Sequence, residues 1–380
     1  MALIQRVRFS EVQWLPILLA LLMTGFGLAF VISATMDPGE PGWGREGQMQ
    51  LLWWGVASVA CLVTMHVPMT TWRALAPALF MGCLVVQALM FVLAGTSLVP
   101  NIKGAHNWIA LGSLRLQPSE FFKLASLLLT ARILTEPQVD IRRFSWCVLV
   151  GGIGLLPAVL IASEDLGSAI TFVPMVLGMM IVAGMPLRYL GLSVVTVAIT
   201  AMVGVASLPE DSYHIKRLRA WIDPESYALT EGFQTIRALR SIGSGQWTGK
   251  GYGVGDQNLL GWLPEKHTDM IFAVIGEELG FLGAMLVPAL FCLFGFAGLF
   301  AAAQCRLPYG RLVVVGFTCL ILGQATVNLF VVMGLMPVTG ITLPFFSYGG
   351  SSLLGTYCGL GLCAAASVAR NKQLRSTVYH

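Results

Sequence analysis

Residues 263–280 read LPEKHTDMIFAVIGEELG. Four residues able to carry charge, Glu265, Lys266, His267 and Asp269, run straight into the apolar stretch from Met270 to Ile275. Two further carboxylates, Glu277 and Glu278, follow. A carboxylate at the mouth of a helix has two chemical readings. It can cap the helix and complement its dipole, or, partly desolvated beside His267 and Glu265 at a membrane surface, it can take a proton as a general base. On residue chemistry alone the two readings of Asp269 stand even. At about 100° per residue, Glu278 falls on roughly the opposite helix face from Asp269, and Glu277 about 80° away. Both are read first as structural, with Glu277 the nearer to any cavity that Asp269 lines.

Three more ionisable residues sit in apolar surroundings. In QPSEFFKLA (117–125), Glu120 and Lys123 are three apart and share a helix face. If a span starts near Pro118, Lys123 lies about 8 Å deep. Asp165, in SEDLG (163–167), opens another span on the same side. An unpaired charge in hydrocarbon costs several kcal/mol, so Lys123 is expected to pair with Asp165, Glu120 or both. A structural ion pair locking the two helices is at least as good a reading as direct chemistry. Between them and Asp269 runs a polar stretch, YHIKRLRAWIDPE (213–225) and GFQTIRALRSIGSGQWTGKGYGVGDQ (232–257). It groups Lys216, Arg217 and Arg219, and its TIRALRSIG suits a short amphipathic helix. The glycine-rich part lacks the G-x-x-x-x-G-K-[ST] pattern of a nucleotide P-loop. Basic side chains with flexible backbone suit a lipid headgroup or pyrophosphate; a solvated loop is the plainer reading for most of these charges.

The elements that position these residues are membrane spans. The chain has 380 residues, 56% hydrophobic and 11% charged, with a mean hydropathy of +0.76; soluble domains carry about 25% charged residues. Ten apolar segments of spanning length are expected, at about 14–35, 49–66, 72–95, 118–135, 144–162, 168–184, 186–208, 269–303, 310–335 and 344–369. The fold class is therefore an all-α polytopic membrane protein, one integral membrane domain over 1–380 with a large loop at 209–268. The first apolar run lacks a small-residue cleavage site and reads as span one. Basic residues then weigh the cytoplasmic side: Arg6, Arg8, Arg73, Arg132, Arg142, Arg143, Arg188, Arg306, Arg311, Arg370, Lys372 and Arg375, against Arg45, Lys103 and Arg115 in short outer loops. Both termini are expected inside and the long loop outside. None of the eight cysteines falls in an outer loop, which excludes an extracytoplasmic disulfide framework. Irregular polar backbone collects on the outer face, including LMPVTGITLPFFSYGGSS (335–352), and function is expected there.

Taken together, QPSEFFKLA, EDLGSAI, RLRAWIDPE, LPEKHTDMIFAVIGEELG and PVTGITLPFFSYGGSS resemble the SEDS family (shape, elongation, division and sporulation) along essentially the whole chain. PVTG (337–340) is closer to the RodA elongation branch than to the FtsW division branch, whose members often carry a lysine there. The resemblance implies a GT-C-type membrane fold and a peptidoglycan glycosyltransferase. Such an enzyme polymerises lipid II at the outer face of the bacterial cytoplasmic (inner) membrane, with a single-pass class B penicillin-binding protein as crosslinking partner within the elongation or division machinery. No nucleic acid is implied. Asp269 matches the family's essential aspartate, which raises catalysis above capping. Lys123 and Asp165 match a buried pair, Glu120 the QPSE carboxylate, and Arg217 an outer-loop arginine. The substrate-binding set is then Lys123, Arg217, Arg219, Glu120, Asp165, Glu265, His267 and Ser347, with a divalent cation, magnesium or manganese, as an optional aid to the leaving pyrophosphate and no protein metal ligands assigned.

The chain departs from the family pattern at Asn107, where an arginine is common, at Ser163-Glu164 before Asp165, at Met270 and at Arg237. The missing arginine removes one outer cation, for which His106 or Arg237 could compensate; Trp108 reads as an interfacial anchor. A lipid II flippase is the rival from another class, and would need polar groups near the midplane. There the sequence offers neutral Gln87, Gln324 and Asn328, read as interhelical hydrogen-bonding groups. A related lipid-pyrophosphate glycosyltransferase such as an O-antigen ligase, and a scaffold with a dispensable Asp269, complete the alternatives.

Overall fold

The computed structural model of the chain describes residues 5, 7, 9–36, 43–102, 105–112, 114–192, 195–196, 212–256 and 260–378. The helices, in chain order, are α1 (Trp14–Thr35), α2 (Arg45–His66), α3 (Met69–Val92), α4 (Pro118–Leu134), α5 (Phe144–Ile161), α6 (Leu166–Val182), α7 (Tyr213–Ile222), α8 (Phe233–Ser244), α9 (Ile271–Gln304), α10 (Pro308–Val332) and α11 (Gly350–Val378). A two-stranded antiparallel hairpin, β1 (Ile109–Leu111) with β2 (Leu114–Leu116), precedes α4. Seven of the helices are long and apolar enough to cross a membrane, and Leu166–Val182 is a shorter apolar one. With α4 added, nine of the ten expected spans coincide with helices among the described residues. The tenth, 186–208, falls mostly outside the described residues, as do Arg6, Arg8 and Lys103.

Each spanning helix follows from a run of residues that finds neither water nor a backbone partner in hydrocarbon except within its own helix. Pro118 and Pro308 open α4 and α10 at positions where their missing N–H is no loss. The last helix starts at Gly350, six residues later than expected. Phe345 takes a left-handed φ of 68°, and residues 341–349 form an irregular turn before the helix begins.

Helix α10 runs through the middle, touching α3, α4, α6, α8, α9 and α11. Its Gln324 and Asn328 are buried, at 2% and 0% exposure. They meet the expectation of interhelical hydrogen bonding: Gln324 links α4 to the linker before α11, and Asn328 links the start of α9 to the same linker.

Helix α9 is broken. Gly280 has φ 67° and ψ −164°, outside any helical region. Groups freed by such a break need partners, and the glycine-rich stretch supplies them. Lys250 and Gly251 N–H donate to the carbonyls of Glu277 and Glu278 (3.0 and 2.9 Å), while Phe281 and Leu282 N–H donate to those of Gln246 and Trp247 (2.8 and 3.3 Å). The approach leaves no room for side chains: a Cβ at Gly280 would sit 2.3 Å from Gly249 N, and one at Gly245 2.0 Å from the Gly276 carbonyl. Gly245 and Gly249 of GSGQWTGKG thus serve backbone-to-backbone docking on the helix break.

Candidate active site

Asp269 lies at the base of the loop, 5% exposed. It is not a helix cap: α9 begins at Ile271 with Met270 as its N-cap and no side-chain cap bond. Its Oδ2 instead accepts from Gln234 Nε2 at 3.2 Å, and its Oδ1 lies 3.2 Å from the Thr268 hydroxyl. The Thr268 hydroxyl also reaches Glu265 Oε2 at 3.0 Å, so one hydroxyl stands between two carboxylates. The turn that presents them closes by bonds from Thr268 and Met270 N–H to the Glu265 carbonyl (3.1 and 3.2 Å). Glu265 itself has φ 53°, a strained conformation for a residue with a Cβ. From behind, Asn328 Nδ2 donates to the Asp269 carbonyl at 2.8 Å and to that of Ile341 at 2.7 Å. Backbone and carboxylate are both held, as a general base requires for positioning.

A cavity of about 190 Å³ is bordered by Arg217, Glu231, Phe233, Gln234 and Val338 among others; Asp269 is not on its border and is linked to it through Gln234. Helix α7 carries Arg217, whose Nη1 donates to the Val338 carbonyl at 2.7 Å; one turn on, Trp221 Nε1 donates to that of Gly334 at 3.0 Å. Glu231 holds its charge below the usual carboxylate range. Its own backbone N–H and the Thr230 hydroxyl donate to it, and Lys216 and Arg217 add to the effect against a smaller burial penalty.

Lys123 and Glu120 form a buried ion pair, Nζ to Oε1 at 2.7 Å, with side chains 2% and 8% exposed. Lys123 also donates to Gln324 Oε1 at 3.1 Å, and Gln324 Nε2 to the Thr342 carbonyl at 3.0 Å. Of the two expected partners, Glu120 is the one taken. Asp165 is the N-cap of α6: its carboxylate accepts from Ser168 N (2.9 Å), Ser168 Oγ (2.7 Å) and Gln117 Nε2 (2.8 Å). The link from α4 to α6 is thus Gln117 to Asp165, not Lys123 to Asp165, because Lys123 is turned toward α10.

The rest of the expected set divides. Glu265 stands with Asp269. His267 accepts a bond from Tyr348 N–H through its carbonyl (2.8 Å) and packs its ring, tilted by 59°, at 5.6 Å from that of the tyrosine, fastening the loop to the last linker. Ser347 is 6% exposed and its Oγ accepts from Leu343 N–H at 2.8 Å, which assigns it to the turn. Arg219 is exposed on α7 and does not border the cavity. Neither compensating cation borders it either. The His106 backbone N–H donates to Glu164 Oε2 at 2.7 Å, and Arg237 is sandwiched between Phe233 and Trp262 at 5.0 and 4.9 Å.

Sequence reasoning missed Gln234, Thr268 and Lys250. Glu277, 0% exposed, accepts from Ser241 Oγ (2.9 Å), Ser244 Oγ (3.3 Å) and Lys250 Nζ (2.9 Å). Lys250 also reaches Asp256 Oδ2 at 2.9 Å. Burial opposes the Lys250 charge, but the hydrogen bonds and charges of Glu277 and Asp256 prevail and hold its proton above the usual lysine range. Glu277 therefore anchors the loop and does not line the cavity. The signal available was a carboxylate in an apolar run, which demands a partner from the nearest polar stretch.

The family model described as cell cycle protein FtsW/RodA/SpoVE matches residues 13–372. The chain belongs to that family, the SEDS proteins. As a member it is a peptidoglycan glycosyltransferase and a multi-pass membrane protein. Among similar proteins, the probable peptidoglycan glycosyltransferase FtsW of Geobacter sp. (strain M18) is 33% identical, over 93% of this chain and 96% of its own length. Stage V sporulation protein E of Bacillus subtilis (strain 168) is 35% identical over 89% and 92%. Of solved structures, a chain of a peptidoglycan synthase complex that coordinates polymerization and crosslinking aligns with TM-score 0.76 and 27% identity, covering 94% of this chain and 98% of that one. The rod shape determining protein RodA of Thermus thermophilus aligns with TM-score 0.70 and 27% identity, covering 95% and 98%. The RodA-like SEDS fold is thereby shown for this chain.

Proposed function

We propose that this SEDS protein polymerises lipid II into glycan strands by an inverting displacement, with Asp269 as the general base. The GlcNAc 4-hydroxyl of incoming lipid II attacks the anomeric carbon of the growing chain's α-linked MurNAc. A new O4–C1 bond forms, the C1–O bond to pyrophosphate breaks with its electron pair leaving on the undecaprenyl pyrophosphate, and Asp269 takes the hydroxyl proton. The observation that carries the reading is that Asp269 is buried, does not cap α9, and is held by Gln234, which borders a cavity together with Arg217. Arg217 would face the leaving pyrophosphate; a fixed cation there stabilises charge developing in the transition state. The buried Glu120–Lys123 pair lies on the far side of Gln324 and orders the bundle beneath the site.

Among the described residues no three of His, Cys, Asp and Glu converge as metal ligands. A divalent cation would be held chiefly by the pyrophosphate itself, a division of labour usual for magnesium, which leaves Asp269 free to act as the base. The site faces the extracytoplasmic side with both termini cytoplasmic, as the distribution of basic residues supports. A class B penicillin-binding protein is the partner, a reading supported by the likeness to the synthase-complex chain. The elongation role rests on PVTG (337–340), whose Val338 borders the cavity and binds Arg217.

Labelled lipid II given to purified wild type, with and without the cognate partner, tests the activity. Glycan strands support it; headgroup translocation without strands puts a flippase in its place. Loss of strands on chelation by EDTA, restored by magnesium or manganese, tests the cation. Depletion in cells separates the branches, rounding marking elongation and filaments division.

A further inference from the structure

The contacts of Glu277 reach Asp269 through α8. Gln234, Ala238 and Ser241 stand at i, i+4 and i+7, one face of that helix. Helix α8 runs alongside the start of α9 in the same direction: Gln234 meets Asp269, and seven residues on Ser241 meets Glu277, eight beyond Asp269. Ala238 and Ser241 are 0% exposed. The far end of α8 is closed down by the same carboxylate, through Ser244 and Lys250. Gly255 lies against it as well, where a Cβ would come within 2.9 Å of Glu277 Oε2. From the glycine-rich stretch, the groups that meet Glu277 are Lys250 with its second partner Asp256; from α8 they are Ser241 and Ser244. Glu278 faces the other way and accepts from Ser33 of α1 at 2.5 Å.

We infer that Lys250 is a positioning residue for Asp269: by pairing with Glu277 it fixes α8 along α9, and α8 delivers the Gln234 amide to the Asp269 carboxylate. Lys250 has no contact with Asp269 or the cavity, so its effect is indirect. Without it, Glu277 keeps a buried charge whose nearest cation is gone, a state more disruptive than having no pair at all. Glu277 is then left to Ser241 and Ser244, its carboxylate shifts, and α8 follows it, taking Gln234 out of register. A shift of about 1 Å in a catalytic constellation costs on the order of 100-fold in rate. The kinetic side of this inference rests on the glycosyltransferase reading above; the tether itself does not.

The test uses the full chain as wild type, Lys250→Met, Lys250→Arg and the double variant Ser241→Ala/Ser244→Ala. Two readouts are taken: steady-state lipid II polymerisation with the class B partner, and hydrogen exchange of the 233–244 amides. Lys250→Met is expected to lower kcat by about 10- to 100-fold with KM held within about two-fold, and to speed exchange across 233–244. Lys250→Arg is expected to restore both. If Lys250→Met does not fold, the serine variant reads the same relay with Glu277 still paired, and the same kcat loss at constant KM is expected. Unchanged exchange and kcat in a folded variant overturn the inference, as does a raised KM at constant kcat, which would put Lys250 on the substrate. If wild type makes no strands, the glycosyltransferase reading fails alone. Faster exchange in Lys250→Met then still upholds the tether, and unchanged exchange removes it.

Discussion

Asp269→Asn separates chemistry from structure at the proposed base. The amide has nearly the shape of the carboxylate. Its oxygen can keep the bond from Gln234 Nε2, now 3.2 Å, and its NH₂ can donate to the Thr268 hydroxyl, 3.2 Å from the other oxygen. The bond from the Asn328 side-chain amide to the residue 269 carbonyl is untouched. What disappears is the capacity to take a proton. General-base catalysis contributes about 10²- to 10⁴-fold, or roughly 2.7–5.4 kcal/mol of barrier at about 1.36 kcal/mol per decade. The assay is the initial rate of strand formation from labelled lipid II by purified protein with its class B partner, beside a thermal melt in detergent. The expected result is a rate at or below about one hundredth of wild type with the melt unchanged. A mere helix cap would leave the rate and the melt both nearly unchanged, because asparagine caps about as well as aspartate. A variant that keeps more than about a tenth of the wild-type rate would refute the base assignment and turn attention to Glu265, across Thr268.

Removing one partner of the buried ion pair is worse than removing both: Lys123→Met is expected to lower stability by about 3–5 kcal/mol, and Lys123→Met/Glu120→Gln to recover most of it, read by denaturation in detergent. Gly280→Ala puts a Cβ 2.3 Å from Gly249 N in a backbone region with φ 67°. Strain alone is worth about 1–3 kcal/mol, so a clearly lower melting temperature is expected. Asn328→Leu leaves the Asp269 and Ile341 carbonyls without their side-chain donor; a loss of about 2–4 kcal/mol together with reduced polymerisation is expected. The Glu231 carboxyl is held below its ordinary range, so its contribution to stability is present at neutral pH and is lost as pH falls through its folded-state value. Glu231→Gln should flatten that acid limb of a melting-temperature profile.

The spans were legible because a run of about 20 apolar residues admits few solutions in hydrocarbon. The ends of α1, α4 and α5 fall within one residue of expectation. Glu120 and Lys123 were placed together by their spacing alone. What spacing does not carry is which distant residue answers a buried charge. Asp165 looked like a partner for Lys123, yet an aspartate before LGS is also an N-cap, and that local option prevailed. The break at Gly280 was hidden because GEELGFLGAMLV has the composition of a continuous helix; its partner, the glycine-rich stretch, lies some thirty residues earlier. Two consecutive glutamates in an apolar run, and glycines at a density no solvated loop needs, were the signs of that docking. Gln234 carried no sign at all, since its bond to Asp269 exists only once α8 lies on α9.

The two buried polar centres of the bundle are coupled through one helix face. Gln324 and Asn328 are four residues apart on α10, about 6 Å along its axis. The first holds Lys123 and the Thr342 carbonyl; the second holds the Asp269 and Ile341 carbonyls. Their acceptors in the linker before α11 are consecutive residues. The same linker is gripped from the loop side, where Arg217 binds Val338 and Trp221 binds Gly334. A displacement of α7, which carries the cavity's arginine, therefore pulls on the segment that sets both the depth of Asp269 and the environment of Lys123. A bundle that needed only to cross the membrane would have no reason to connect these groups, because apolar side chains would fill α10 at lower desolvation cost. The connection makes sense where arginine, carboxylate and buried lysine must keep one fixed geometry, as they must if a lipid-linked pyrophosphate is to leave on one side of a sugar while a hydroxyl is deprotonated on the other.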